Sequence, residues 1–303
     1  MKIIKANGDI VPLDFSQVTK QTKPATEGLK NVDYKTLEED TKVLLRDRMA
    51  TSEITKNLIT TALNKVDIDR SDWTYVAARL ELYSLYHNIK RIYNRTGSGD
   101  VYKMVSLNMF INKYKDIGKE RLGDFVNKYT EDEISELNNY IVCERDLLMN
   151  YFSVKTALNM YLFKVKGDIV ELPQYLHMGV AMYLAQNEKD KMYYVKEFYD
   201  MFSKFEFINS TPTNANSRGR IPSTISCLIN RAPDNIEGIF DAYKEIGLGS
   251  KQGSGWGVDW SYVRSKGSYI DGVKNIAGGK IPFLKTLEGI SDAVNQRGKK
   301  YSA

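Results

Sequence analysis

The first apolar positions of the chain lie on either side of an Asn-Gly pair. Ile3 and Ile4 precede Asn7-Gly8, and Ile10, Val11 and Leu13 follow it. Asn-Gly between two apolar runs is the strongest short hairpin signal, because the tight turn needs positive φ at both central residues. A hairpin is therefore expected over residues 2–15. The period then lengthens. Helical spacing of apolar residues recurs near 16–30, 35–48, 52–66 and 72–94, with Val76, Leu80, Tyr83 and Ile89 at that spacing in the last. "TSEI" (51–54) offers Thr51 or Ser52 as a cap for the third helix. The polar, glycine-bearing "NRTGSGD" (94–100) breaks the pattern, and a domain boundary is expected there.

Residues 101–204 read almost entirely as helix. "TEDE" (130–133) is a capping box, in which Thr130 and Glu133 satisfy each other's backbone amides. "FKVKGDIVEL" (163–172) predicts a small hairpin around Lys166-Gly167-Asp168. Pro173 then starts a helix at the position where a missing N–H costs nothing. Its run "LHMGVAMYLA" (176–185) is too short to span a membrane and reads as a buried helix segment.

The texture changes after about 205, where Gly, Pro, Ser, Thr and Asn crowd "NSTPTNANSRGRIPSTISC". "TISCLI" reads as a strand. "DNIEGIFDAYKEIG" (234–247) reads as a helix capped by Asp234 or Asn235 and ended by Gly247. "GSGWGVDWSYV" (253–263) predicts a second strand, and "KIPFLKTLEGISDAVNQ" (280–296) another helix. Strand, helix, strand, helix is the beginning of an α/β domain. Two parallel strands cannot cover both faces of a sheet, so this part is not expected to be stable alone.

Composition narrows the class. Apolar residues make up 42% and charged residues 27%, the balance of a soluble globular protein. A net charge of +5 suits phosphorylated ligands but is too mild to argue for direct nucleic-acid binding. Cys143 and Cys227, the only cysteines, cannot form a disulfide framework, which points to a reduced, cytoplasmic setting. With only His87 and His177 as histidines, no Cys/His metal site is expected. The start lacks the apolar core of a signal peptide, and no membrane association is expected. Taken alone, a cysteine is by default a small buried hydrophobe. Cys227 has unusual surroundings for that role: Thr-Pro-Thr upstream, Ser226 before it, and Asp234 seven residues on.

The series "TPT…SC…PDN…GSGWGVD…RSKGSYI…IPFLK…NQRGKK" resembles the large (alpha, catalytic) subunit of class I ribonucleotide reductase, from Met1 to the end and most strongly over 211–300. The resemblance implies an ATP-cone-like domain over 1–95, a helical domain over 96–204, and the start of a ten-stranded α/β barrel over 205–303. It makes Cys227 one of a redox pair on the first barrel strand, with Thr211 and Ser226 as substrate contacts. Asp234 and Asn235 fall at the allosteric specificity site, where Asp234 would accept the 3′-hydroxyl of a deoxynucleoside triphosphate, and both capping and effector roles can hold for it. Arg264 falls on the arginine that grips the effector phosphates, and Ile270 beside the effector. Asp271 stands where homologues carry a basic residue, leaving Lys266 as a substitute. Gln296 would read the substrate base, and Lys299 or Lys300 would reach the substrate from the connecting loop. Cys143 lacks such a context and is expected to pack on a helix.

In the cone, Lys5 and Thr51 occupy matching positions, but Ala6, Val11 and Thr55 replace residues usual for gripping nucleotide. A triphosphate needs several cations or oriented amides, so a structural cone that has lost nucleotide affinity is expected ahead of a working ATP/dATP switch. The family's radical cysteine, second redox cysteine and C-terminal cysteine pair have no counterpart in this chain, and Tyr301 and Ser302 depart from the family pattern. The chain is thus expected to be inactive alone, either as part of a split, phage-type subunit completed by a complementary C-terminal fragment, the favoured reading, or as an artificial or degenerate truncation. No cofactor is expected on the chain itself; ATP and dNTPs would act as effectors. A metal-containing small subunit would supply the radical, thioredoxin or glutaredoxin the electrons, and the large subunit would dimerise. The alternative is a non-catalytic nucleotide-binding or assembly module, which would need neither Thr211, Ser226 nor Cys227.

Overall fold

The structure is a computed structural model. It describes every residue except 6, 7, 98, 116–121, 221, 271–275, 297–299, 302 and 303, and only the backbone of 295, 296, 300 and 301. Two compact units divide the chain, Met1–Ile208 and Asn209–Ala303.

The first unit begins with the hairpin the pattern predicts, β1 (Lys2–Ile4) against β2 (Ile10–Pro12), with Ile3 opposite Val11. Asn7 of the turn lies outside the described residues. A third strand, β3 (Met49–Ala50), pairs parallel with β1. Two residues carry no readable period, and this strand exists only because the chain returns to the hairpin edge. Helices α1 (Phe15–Thr26), α2 (Tyr34–Lys42), α3 (Thr51–Asn64) and α4 (Trp73–Ile92) follow. The first two stop short of their expected ends. Pro24 removes an amide near the end of α1, and Gly28 then turns at φ 74°. The residues after α2 are needed to reach β3. Neither Thr51 nor Ser52 caps α3. Ala50 holds the cap position directly from the strand, and Glu53 accepts the Ala50 amide at 3.4 Å.

α4 serves two cores. Trp73, Val76, Ala77 and Leu80 pack with Leu37 and Leu58 in the N-terminal core, whereas Ala78, Leu82, Leu85 and Ile89 join the larger core that follows. These sets lie on different sides of one helix, so the helix is apolar well beyond a single stripe. Tyr83 is only half-buried.

The larger core also uses α5 (Val101–Met104), α6 (Leu107–Tyr114), α7 (Glu131–Tyr140), α8 (Tyr151–Thr156), α9 (Pro173–Ala185) and α10 (Lys191–Ser203). The Thr130–Glu133 capping box forms, at 2.8 and 3.2 Å. Hairpin β4 (Lys164–Val165) and β5 (Asp168–Ile169) turns through Lys166 at φ 51° and Gly167 at φ 89°. α9 starts at Pro173, and most of its residues are buried, including Gln174 and His177. No helix among the described residues is long and apolar enough to cross a membrane.

The core centres on a buried carboxylate. Asp146 accepts Tyr86 Oη at 2.5 Å, Tyr102 Oη at 2.6 Å and Gln174 Nε2 at 2.7 Å. Gln174 in turn accepts from Tyr199, which accepts the Val142 amide. Burial pushes Asp146 up to about 6 despite these three donors, with Asp100 adding repulsion.

The second unit holds α11 (Thr211–Asn216), β6 (Cys227–Arg231), α12 (Ile236–Gln252), β7 (Gly255–Asp259), α13 (Lys280–Ala293), β8 (Asn295–Gln296) and β9 (Lys300–Tyr301). β6 and β7 run parallel, joined through α12 as a βαβ unit. α12 passes straight through Gly247 and ends at Gly253, which takes φ 99°. Gly249, inside the helix, lies over the indole of Trp256, where an added Cβ would sit 2.5 Å from Nε1. The helix thus approaches the sheet closely enough that only glycine fits at 249, and the helix ends six residues beyond the expected Gly247. The core here is small: Ala232, Ile239, Tyr243, Trp260 and Val263, with Val258, Phe283, Leu287 and Ile290 around them.

Candidate functional site

Cys227 is the first residue of β6, and its side chain is exposed. Strand alternation puts Cys227, Ile229 and Arg231 on one face and Leu228 and Asn230 on the other. The register sets Cys227 beside Gly255 and Ile229 beside Gly257. β7 therefore brings no side chain next to the thiol, and Ile229 on the same face is 90% exposed. Trp256 and Val258 lie on the opposite face, where α12 packs. The thiol thus stands on a bare, glycine-flanked face with Ser226 Oγ 3.6 Å away. A buried packing role for Cys227 does not fit this exposure. Cys143 starts a 3-10 helix, Cys143–Leu148, and packs half-buried against the larger core. Burial, with Asp100 accepting its proton at 3.7 Å, pushes its thiol up to about 12.

The segment before Cys227 is tied to α11. Ser210 caps this helix, Thr211 is its first residue, and Thr213 Oγ1 donates to Thr224 O at 3.1 Å. Thr211 and Ser226 are both half-buried.

Asp234, Asn235, Arg264 and Ile270 share a cavity of about 340 Å³, which Val263, Gly279 and Phe283 help to line. Asn235, not Asp234, caps α12, accepting the Gly238 amide at 2.8 Å. Asp234 is taken by Arg264. The guanidinium Nε reaches both carboxylate oxygens at 2.9 and 3.0 Å, and the Arg264 amide donates at 3.0 Å. These bonds hold the Asp234 carboxyl below its ordinary range. Nη1 donates to Tyr269 O at 2.6 Å, a contact with no signal in the sequence. Asp271 and Lys299 lie outside the described residues. Gln296 pairs with Lys300 across the β8–β9 hairpin, and their side chains lie outside the description.

Lys5 and Thr51 also come together, around a cavity of about 420 Å³ with Asp14, Gln17 and Gln21. Among the described residues Lys5 is the one cation lining it. Thr55 donates to Gln21 at 3.2 Å.

Residues 147–221 match the all-alpha domain of ribonucleotide reductase, and residues 225–303 match its barrel domain. The chain is 43% identical over 302 residues to the ribonucleoside-diphosphate reductase subunit alpha of Helicobacter pylori, covering 99% of this chain and 37% of that protein. It is 30% identical over 303 residues to the ribonucleoside-diphosphate reductase large subunit of Monkeypox virus, covering 99% of this chain and 38% of that protein. The subunit alpha of Synechocystis sp. is also 30% identical, over 307 residues and 38% of its length. The chain belongs to the ribonucleotide reductase large-subunit family. It spans little more than a third of the length of these relatives.

Proposed function

We propose that this chain contributes the redox thiol Cys227, substrate contacts and the dNTP specificity site to a ribonucleoside-diphosphate reductase completed by the rest of the barrel. The carrying observation is the exposed Cys227 on a face where its register neighbour is Gly255. A ribose has to lie against a redox thiol, and a neighbour without a side chain leaves that room. Thr211 and Ser226 would hold the substrate from the adjoining segment, with Gln296 and Lys300 approaching from the β8–β9 hairpin. The two-stranded β6–β7 sheet leaves an edge of each strand for further barrel strands on a complementary polypeptide. The radical would come from a metal-containing small subunit, and the electrons from thioredoxin or glutaredoxin.

The second support is the cavity joining Asp234, Asn235, Arg264 and Ile270. Effector phosphates would compete with Tyr269 O for the Arg264 guanidinium, and this exchange would couple effector binding to the 265–270 loop. The chain alone is expected to reduce no ribonucleotide. With the complementary fragment and the small subunit it should do so, with a substrate preference that follows the dNTP added. Arg264→Ala should flatten that preference at least about tenfold, the scale of one lost charged hydrogen bond. Turnover by the isolated chain, or an unchanged effector response in Arg264→Ala, contradicts the reading.

The cone is proposed to be structural. One lysine facing Asp14 across a cavity is a poor grip for four negative charges. Calorimetric titration of dATP into the chain should give the same isotherm in wild type and Lys5→Ala. Tight binding lost on that substitution would reveal a working nucleotide switch.

A further inference from the structure

The chain enters β6 through Ser223–Ser226, a segment in neither helix nor strand. Such segments are normally the mobile parts of a fold, because no ladder holds them. Here each of the four carbonyls accepts a hydrogen bond. Asn216 Nδ2 donates to Ser223 O at 3.1 Å. Thr213 Oγ1 donates to Thr224 O at 3.1 Å, joined by Ser210 Oγ at 3.4 Å. Ser254 Oγ donates to Ile225 O at 2.9 Å, and the Gly255 amide to Ser226 O at 2.7 Å. Ser210, Thr213 and Asn216 recur every third residue, so one side of α11 reads the segment. Ser254 and Gly255 close it from the start of β7. Buried Arg218 donates Nη2 to Asn214 O at 2.9 Å and so ties down the C-terminal end of α11 itself.

We propose that Thr213 and Asn216 are positioning residues, which latch the Ser223–Ser226 backbone so that Cys227 is presented to substrate at a fixed point. The proposal rests on the reading of Cys227 as the redox thiol. Neither side chain touches the thiol; each acts through a carbonyl in the segment that leads to it. Misplacement of a reacting group by about 1 Å costs on the order of 100-fold in rate, and an exposed strand end has few other restraints.

The test uses Thr213→Val, Asn216→Ala, their combination, and Thr213→Ser, which keeps the donor. Hydrogen exchange at the Gly255 amide is measured by NMR on the full chain, since that amide bonds the latched segment. Exchange should rise at least about tenfold in the double variant and return to near wild type in Thr213→Ser, as restoring the bond restores local closure. In the reconstituted enzyme the double variant should lose about 100-fold in kcat with little change in KM. Should the double variant fail to fold, Asn216→Ala alone is read for the same direction. Unchanged Gly255 exchange in a folded variant overturns the latch, whatever Cys227 does. Raised exchange with unchanged kcat overturns its role in positioning. Failure of the redox reading itself shows separately, as turnover surviving in Cys227→Ser.

Discussion

Cys227→Ser in the reconstituted enzyme is expected to stop sustained deoxynucleotide formation while leaving assembly and effector binding intact. Each turnover of the proposed reaction removes the ribose 2′-hydroxyl as water and oxidises two thiols to one disulfide. Serine is nearly isosteric with cysteine but cannot give up an electron pair to form that bond. Loss of an essential chemical group of this kind costs roughly a thousandfold or more in turnover. Cys143 offers no substitute: it lies in the other compact unit, is half-buried, and has its thiol pushed up to about 12 by burial and by Asp100. The stability side of the prediction follows from exposure. An exposed cysteine replaced by serine buries no new hydroxyl, so the change in unfolding free energy should stay within about 0.5 kcal/mol. Denaturation and multiple-turnover assays on the same variant check both halves. Near-normal turnover would remove Cys227 from the chemistry, and a loss of several kcal/mol would return it to packing.

The second large effect is expected at Asp146, in the helical unit. Asp146→Ala removes the shared acceptor of Tyr86, Tyr102 and Gln174 and leaves three buried donors without it. At about 1–3 kcal/mol for each buried donor left unsatisfied, the expected loss is about 3–5 kcal/mol after partial relaxation. Its pH dependence has a definite sign. The folded state holds Asp146 at about 6, above the ordinary 3.8 of an aspartate, because burial penalises the charge. Between these values the folded protein binds more protons than the unfolded chain, so this group's contribution falls as pH rises from about 4 through about 6. Asp146→Asn does not titrate. The advantage of wild type over Asp146→Asn should therefore shrink by about 2 kcal/mol between pH 4 and pH 7, most of the free-energy equivalent of that shift. Comparing the two proteins cancels the opposite trend of carboxylates held low by partners, such as Asp200 beside Arg145. Chemical denaturation at several pH values measures the gap, and a gap that stays constant or widens would contradict the assignment.

Much of this was legible from one dimension, and the legible features share a cause. The hairpin, the Thr130–Glu133 box, the Lys166-Gly167 turn, Pro173 at a helix start and the strand stretches that hold β6 and β7 are local, set within a few residues by φ preferences, lone pairs and β-branched content. The family was legible too, from short motifs in a fixed order. What the sequence misplaced was decided by partners far along the chain. Gly247 signals a helix end, but α12 continues to Gly253, and the glycine at 249 instead leaves room for the indole of Trp256. Asp234 and Asn235 are equal candidates for a cap, until Arg264, thirty residues on, takes the aspartate and leaves the asparagine to the helix. β3 has no period to read and forms only against β1. The latch on Ser223–Ser226 and the donors around Asp146 were invisible for the same reason. A hydrogen bond between distant residues leaves no periodic trace, and burial, which sets its strength and the pKa of what it holds, exists only once the chain has closed around it.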